Sequence, residues 1–238
     1  KYYLKDRLDS KQALNSLVQN QLDGNVRLRS SASQLSEHQA QYISSNGKYD
    51  FIGKLTNPNN NFSVAFTYCF VDGQTDLACA QGFILPEEVK YFLSLGNSLK
   101  QSPNSIRMEL RDIMWSRIDL HRYPDWKNFA ASRLNFSVAD ETIKTADNSG
   151  ISEKVGLSVL EFTITNNTAY SYWELPLNII ITEGSSIVAA NKYTIPQFRT
   201  GQKRSVKLVF PERLSGSARA TIIPDINLNR DDIYMKIE

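Results

Sequence analysis

The chain has 238 residues and a net charge of +2, and with 41% hydrophobic and 22% charged residues it has the composition of a globular protein rather than a disordered one. It carries no basic run of the kind that grips nucleic acid, and no apolar run approaches the roughly 18 residues that cross a bilayer as a helix. With 11 Phe and 11 Tyr, and β-branched residues crowding its apolar stretches, its vocabulary is that of strands.

The opening Lys1-Tyr2-Tyr3-Leu4-Lys5 has the composition of a juxtamembrane edge, where Tyr and Lys gather at the lipid–water boundary. It leads us to expect an N-terminal anchor or signal segment ahead of it; the alternative is an arbitrary starting point. Residues 4–22 read as a helix, with Leu4, Leu8, Leu14, Leu17, Val18 and Leu22 near helical spacing and Asp23-Gly24-Asn25 as a stop, so 1–25 is expected to be a helix or stalk.

Short alternating stretches then take over: Val26–Leu28, Tyr49–Leu55, Val64–Val71, Leu77–Leu85, Tyr91–Leu95 and Ile106–Leu110, each bounded by Gly, Pro, Asn or Asp. Strands at this spacing predict an antiparallel β-sandwich over 26–118. Within it Cys69 and Cys79 flank Asp72-Gly73-Gln74-Thr75-Asp76, a turn of the Asp-Gly kind. A hairpin centred on Gln74 sets the two cysteines opposite one another, within reach of a disulfide after local twist. The alternative is two free thiols.

Residues 119–133, Asp119 to Arg133, are polar, carry Pro124 and break the alternation, so they are expected to link two domains. Their Tyr123, Trp126 and Phe129 are expected to pack between those domains.

The pattern then starts again over 134–238. Asn57 falls on Asn166, and Val64, Phe66, Tyr68 and Phe70 fall on Trp173, Leu175, Leu177 and Ile179, one inward stripe written twice. Trp173 is thereby expected to be a core residue. Further on, Ile84-Leu85-Pro86 meets Thr194-Ile195-Pro196, and Ile113-Met114-Trp115 meets Ile226-Asn227-Leu228. The Asn57-Pro58-Asn59 turn and its counterpart at Asn166 are then corners between strands, for which Asn and Pro are suited.

The order of strand, Asn corner, aromatic strand, Gly-bearing hairpin and Ile/Leu-Pro resembles the Ig-like repeats used as extracytoplasmic modules in bacteria. Ile195-Pro196-Gln197-Phe198-Arg199-Thr200-Gly201 and Ile223-Pro224-Asp225-Ile226-Asn227 also resemble membrane-anchored proteins of small-genome, candidate-phylum bacteria. The resemblance covers roughly residues 26–238. It implies two tandem Ig-like antiparallel β-sandwiches and carries no catalytic residues; with the helix expected from the spacing over 4–22, the fold expected is mainly β, an N-terminal helix followed by those two domains.

The two histidines, His38 and His121, lie far apart, and no zinc spacing, nucleophile elbow or phosphate-cradling loop occurs. The run Asp225–Asp232 alternates Asp and Asn, but Arg230 stands where a calcium loop wants Gly and Lys236 where it wants Glu, so it reads as the edge of a strand. No metal and no cofactor is expected.

These readings converge on a non-enzymatic spacer, scaffold or protein-interaction module of an extracytoplasmic envelope or surface assembly, two sandwiches forming a semi-rigid rod. Its partners would be other envelope proteins, with the membrane reached through the N-terminal anchor. The alternative is a carbohydrate-binding or adhesive module with Trp115, Tyr123 and Trp126 stacking on sugar rings, which requires them exposed.

Overall fold

The computed structural model describes residues 31–146 and 156–236, without the side chains of 37–39. The helix expected over 4–22 and the strand expected at Val26–Leu28 lie outside those residues. Residues Leu35–Glu238 form one compact unit.

The described chain is mainly β. Six strands come first: β1 (Ser36–Ser45), β2 (Lys48–Thr56), β3 (Phe62–Asp72), β4 (Thr75–Ile84), β5 (Val89–Asn97) and β6 (Ile106–Arg117). A helix, α1 (Trp126–Arg133), precedes six more: β7 (Phe136–Lys144), β8 (Ser158–Asn166), β9 (Tyr172–Glu183), β10 (Ser186–Phe198), β11 (Lys203–Phe210) and β12 (Arg219–Pro224). They make four antiparallel three-stranded sheets, β1-β2-β5 with β4-β3-β6, then β11-β8-β7 with β10-β9-β12. Replacing β1–β6 by β7–β12 in turn converts the first strand order into the second.

Period-two alternation places the cores. Phe51 and Leu55 of β2 face Phe66 and Phe70 of β3, all 0% exposed, and enclose the first core. Leu160 and Ile164 of β8 face Leu175, Leu177 and Ile179 of β9 in the second. Each such side chain contributes about 1.5–3 kcal/mol on leaving water. Phe66 and Leu175 are therefore both inward, as expected.

The corners recur atom for atom. Asn57 Nδ2 donates to the carbonyls of Phe62 (2.7 Å) and Leu85 (2.9 Å), while its Oδ1 accepts from Asn59 N and Nδ2. Asn166 Nδ2 donates to the carbonyls of Tyr170 (2.8 Å) and Phe198 (3.2 Å), while its Oδ1 accepts from Thr168 N and Oγ1. Both amides are buried and use both donors and both lone pairs of the oxygen, so they are structural corners with no capacity left for a ligand. The shared hydrogen bond also corrects the later alignment: Leu85 corresponds to Phe198, three residues beyond the match at Ile195.

Three expectations about elements need correction. Strand β1 was missed, because Ser36–Ser45 is a polar edge strand recognisable only by its pairing with β2. Segment 119–133 is not simply a polar connector: Asp125 Oδ1 caps α1 by accepting from Asn128 N at 3.0 Å, and Trp126 is buried. Finally, Asp225–Asp232 lies beyond the end of β12, although Ile226 and Leu228 are buried in the second core.

The rod gives way to a stack of sheets. Ile52 and Leu93, on the outer face of β2 and β5, pack against Ile180 and Ala190, on the outer face of β9 and β10. Strands β2 and β9 are thus covered on both faces, which is why Phe51-Ile52 and Leu177–Ile181 read as continuous buried runs. Polar groups stitch the rim: Gln41 Nε2 donates to Ile187 O at 3.2 Å, Lys192 Nζ to Leu93 O at 2.9 Å and Asn229 Nδ2 to Ser63 Oγ at 2.9 Å.

Candidate functional site

Cys69 and Cys79 are cross-strand partners in β3 and β4, with Cα atoms 4.1 Å apart, and they are joined by a disulfide. The turn is Gly73-Gln74, between Asp72 and Thr75, with Gly73 at φ +61°. A one-residue shift between Phe70 and Val71 restores the register that brings the sulfurs together. Cys69 is buried and Cys79 exposed.

The aromatics expected to stack on sugar do not form a platform. Trp126 is buried beside Leu85 and Ile118 in the second core. Tyr123 is half-buried and meets Trp126 edge-on at 86°, with Phe129 4.3 Å away. Trp115 is half-buried against the first core and edge-on to Phe62 at 87°. Three rings at crossed angles cannot present one flat face. Trp126 instead shares a core cluster with Leu85 and Ile118, and Tyr123 and Phe129 pack against that cluster.

The exposed indole is Trp173, at 48%, which corrects its assignment to the core. The reason lies in two strands that change face together. On β9, Tyr172 and Leu175 point inward with Trp173 and Glu174 both outward; on β10, Phe198 and Ile195 point inward with Gln197 and Pro196 both outward. Pairing continues through the change, Tyr172 with Phe198 and Glu174 with Pro196. Gln197 absorbs it with φ +46°, in the left-handed region that costs a residue with a Cβ about 1–2 kcal/mol. In the first sheet pair Val64, Phe66, Tyr68 and Phe70 keep an unbroken inward stripe.

The outward residues open a groove of about 500 Å³, within the range of small-ligand and peptide sites. Trp173, Pro176 and Pro196 line its sheet side, Phe83 and Ile226 add apolar wall, and Glu174, Asp225, Asp232 and Arg230 supply charge. The C-terminal segment holds the far wall: Trp173 N donates to Ile233 O at 3.0 Å and Asp225 N to Pro176 O at 2.8 Å. Arg230 is held by Asp232 through two hydrogen bonds, and Asp231 by Arg122. The carboxylates considered for calcium are thus occupied in ion pairs.

Asp225 also reaches the seam between the sheet pairs. Its Oδ1 stands 2.5 Å from Lys90 Nζ, and neither atom has a further hydrogen-bond partner. The Lys90 side chain is 4% exposed and its ammonium sits 3.1 Å above the Phe83 ring. Nearby, burial and then the Asp225 charge push the Tyr68 phenol up to about 12, and its hydroxyl donates to Leu93 O. Burial likewise lifts the Glu88 carboxyl above the carboxylate range, against the pull of Lys90. Sequence reasoning did not find this cluster, since Lys90 and Asp225 carry no local signal of meeting.

No known protein family matches the chain, and no curated protein does. Among solved structures, red sea bream transglutaminase aligns with 82% of this chain at 11% identity and a TM-score of 0.25, over 30% of the transglutaminase. The vicilin of Solanum melongena aligns with 81% of the chain and 77% of its own length at 8% identity and a TM-score of 0.19. The vicilin of Corylus avellana covers 79% and 80% at 9% identity and a TM-score of 0.13. At these scores the likenesses bear neither on fold nor on activity.

Proposed function

We propose that the chain is a non-enzymatic binding and scaffold module of an extracytoplasmic assembly, built of two tandem Ig-like sandwiches. The observation that carries the reading is the groove at Trp173, an exposed indole held on a strained strand pair and backed by a seam that fixes one sheet pair against the other. A surface held this rigidly suits recognition, because little ordering entropy remains to be lost on binding. The disulfide Cys69–Cys79 supports placement outside the reducing cytosol. The lining offers aromatic, prolyl and charged contacts, and its Asp225 and Asp232 are paired with Lys90 and Arg230.

A glycan-binding reading is favoured by one observation, that Trp173 is exposed beside the polar Gln197 and Asn227. It moves the expected stacking from Trp115, Tyr123 and Trp126 to Trp173. Cross-linking to envelope proteins of the native host tests the main reading. Partners captured by the wild type and lost with Trp173→Ala are expected; equal capture by both would remove the groove as the working surface.

A further inference from the structure

We infer that the groove at Trp173 receives an extended, cation-bearing segment of a partner protein, with an Arg or Lys side chain lying on the indole and paired with Glu174. This rests on the binding-module reading and names the partner chemistry of the same site.

Charge is the first argument. The lining holds three carboxylates, Glu174, Asp225 and Asp232, against the single guanidinium of Arg230, a local balance of −2 on a chain whose total is +2. Asp232 already neutralises Arg230, and Asp225 is engaged by Lys90 from the seam side. Glu174 forms no ion pair among the described residues, and it follows Trp173 directly on the outward face. An indole beside an unpaired carboxylate suits a cation: the ring face attracts it and the carboxylate neutralises it.

Shape is the second. Pro176 and Pro196 lie on the same outward face as Glu174, Pro196 directly across from it. Their rings offer apolar ridges and no N–H, so a partner chain gains contact area there rather than ladder hydrogen bonds. Aromatic and apolar ridges of this kind seat extended, polyproline-like segments.

Strain is the third. Two paired strands change face together, at the cost of a left-handed Gln197, and the outcome is an indole exposed between the buried Tyr172 and Leu175. Backbone strain of this kind gathers at ligand clamps.

The test uses the full chain and a fluorescent Ala-Pro peptide of about ten residues bearing two arginines, long enough for a few turns of polyproline helix. A matched peptide carries glutamine instead, and a neutral oligosaccharide, chitohexaose, is the third probe. Anisotropy, and Trp fluorescence for the sugar, are followed at ionic strengths of about 0.01 and 0.15 M, where the Debye length falls from about 30 to 8 Å. The arginine peptide is expected to bind saturably, about tenfold more tightly than the glutamine peptide, and more weakly at the higher salt. Trp173→Ala should weaken it by about tenfold or more and Glu174→Gln by several-fold. Both side chains are exposed, and unchanged thermal melts will verify folding. Equal binding of the two peptides, or no binding of the arginine peptide, overturns the inference. Saturable chitohexaose binding that is lost in Trp173→Ala, without peptide binding, overturns it while leaving the binding module standing. No binding of any probe together with equal envelope capture by wild type and Trp173→Ala removes both.

Discussion

Replacing Asp225 by Asn keeps the shape of the side chain and removes the carboxylate ion-paired with Lys90. The ammonium, on a side chain 4% exposed, would then face a neutral amide oxygen where the carboxylate stood. Breaking a fully buried pair from one side costs about 3–5 kcal/mol. Here two features lower that figure. The Phe83 ring 3.1 Å away retains a cation–π attraction of about 1 kcal/mol, and Asp225 is 26% exposed, so some water reaches the site. The expected loss is about 2–3 kcal/mol. Lys90→Met should cost less, about 1–2 kcal/mol, because the orphaned carboxylate is the wetter partner and keeps the Asn178 amide at 3.3 Å. The double variant should be no worse than Lys90→Met alone, an interaction energy of about 2 kcal/mol in the cycle. Urea denaturation with a common m-value measures all three. Equal costs for the two single variants, or a loss below about 1 kcal/mol for Asp225→Asn, would refute the claim that Lys90 depends on this partner.

Three further outcomes are expected. Trp173→Ala should change stability by no more than about 0.5 kcal/mol while its neighbour on the inward stripe, Leu175→Ala, costs about 2–5 kcal/mol, and chemical denaturation of the pair checks the change of face. Asn57→Asp or Asn166→Asp should destabilise by about 2–4 kcal/mol, since an aspartate cannot donate to the two buried carbonyls, and melts no lower than those of surface Asn→Asp controls would contradict the corner assignment. The Tyr68 phenol should resist ionisation to about 12, seen at 295 nm as a late tyrosine that Tyr68→Phe removes. Because its folded pKa is raised, its contribution is complete below the ordinary value of 10 and is lost as pH rises through about 12, so the alkaline decline in Tm should be shallower in Tyr68→Phe.

Much of the fold was legible where side-chain period and turn chemistry agree. The stripe Phe66-Tyr68-Phe70 and its counterpart Leu175-Leu177-Ile179 announced inward faces, and Asn57 and Asn166 announced corners, because both signals are local. Cys69 and Cys79 could be paired from spacing about one turn. What stayed hidden depends on partners distant in sequence. β1 is a strand because β2 offers it a ladder, not because Ser36–Ser45 has strand composition. Trp126 helps form the second core because α1 folds back beneath Leu85 and Ile118, which its polar neighbours conceal. The seam follows the same rule: Lys90 and Asp225 are 135 positions apart, and nothing near either one marks it for burial.

The groove was the harder case, although its signal is in the sequence. A strand read at period two assigns Trp173 inward from Leu175 and Leu177, and that logic holds only while the backbone keeps one twist. Tyr172-Trp173-Glu174-Leu175 and Ile195-Pro196-Gln197-Phe198 each set large apolar residues three apart around an interior that includes a polar residue. Either quartet alone reads as noise in the alternation. Taken as cross-strand neighbours they describe one event, since a face change in one strand must be matched in its partner for the ladder to persist. The first sheet pair has Phe66-Thr67-Tyr68-Cys69-Phe70 in strict alternation, and Phe66, Tyr68 and Phe70 stay buried in its core. The difference between the two halves, rather than their likeness, is therefore where binding is to be sought: the shared residues hold corners and cores, and the departure at Trp173 and Gln197 sets an indole and a carboxylate in the solvent.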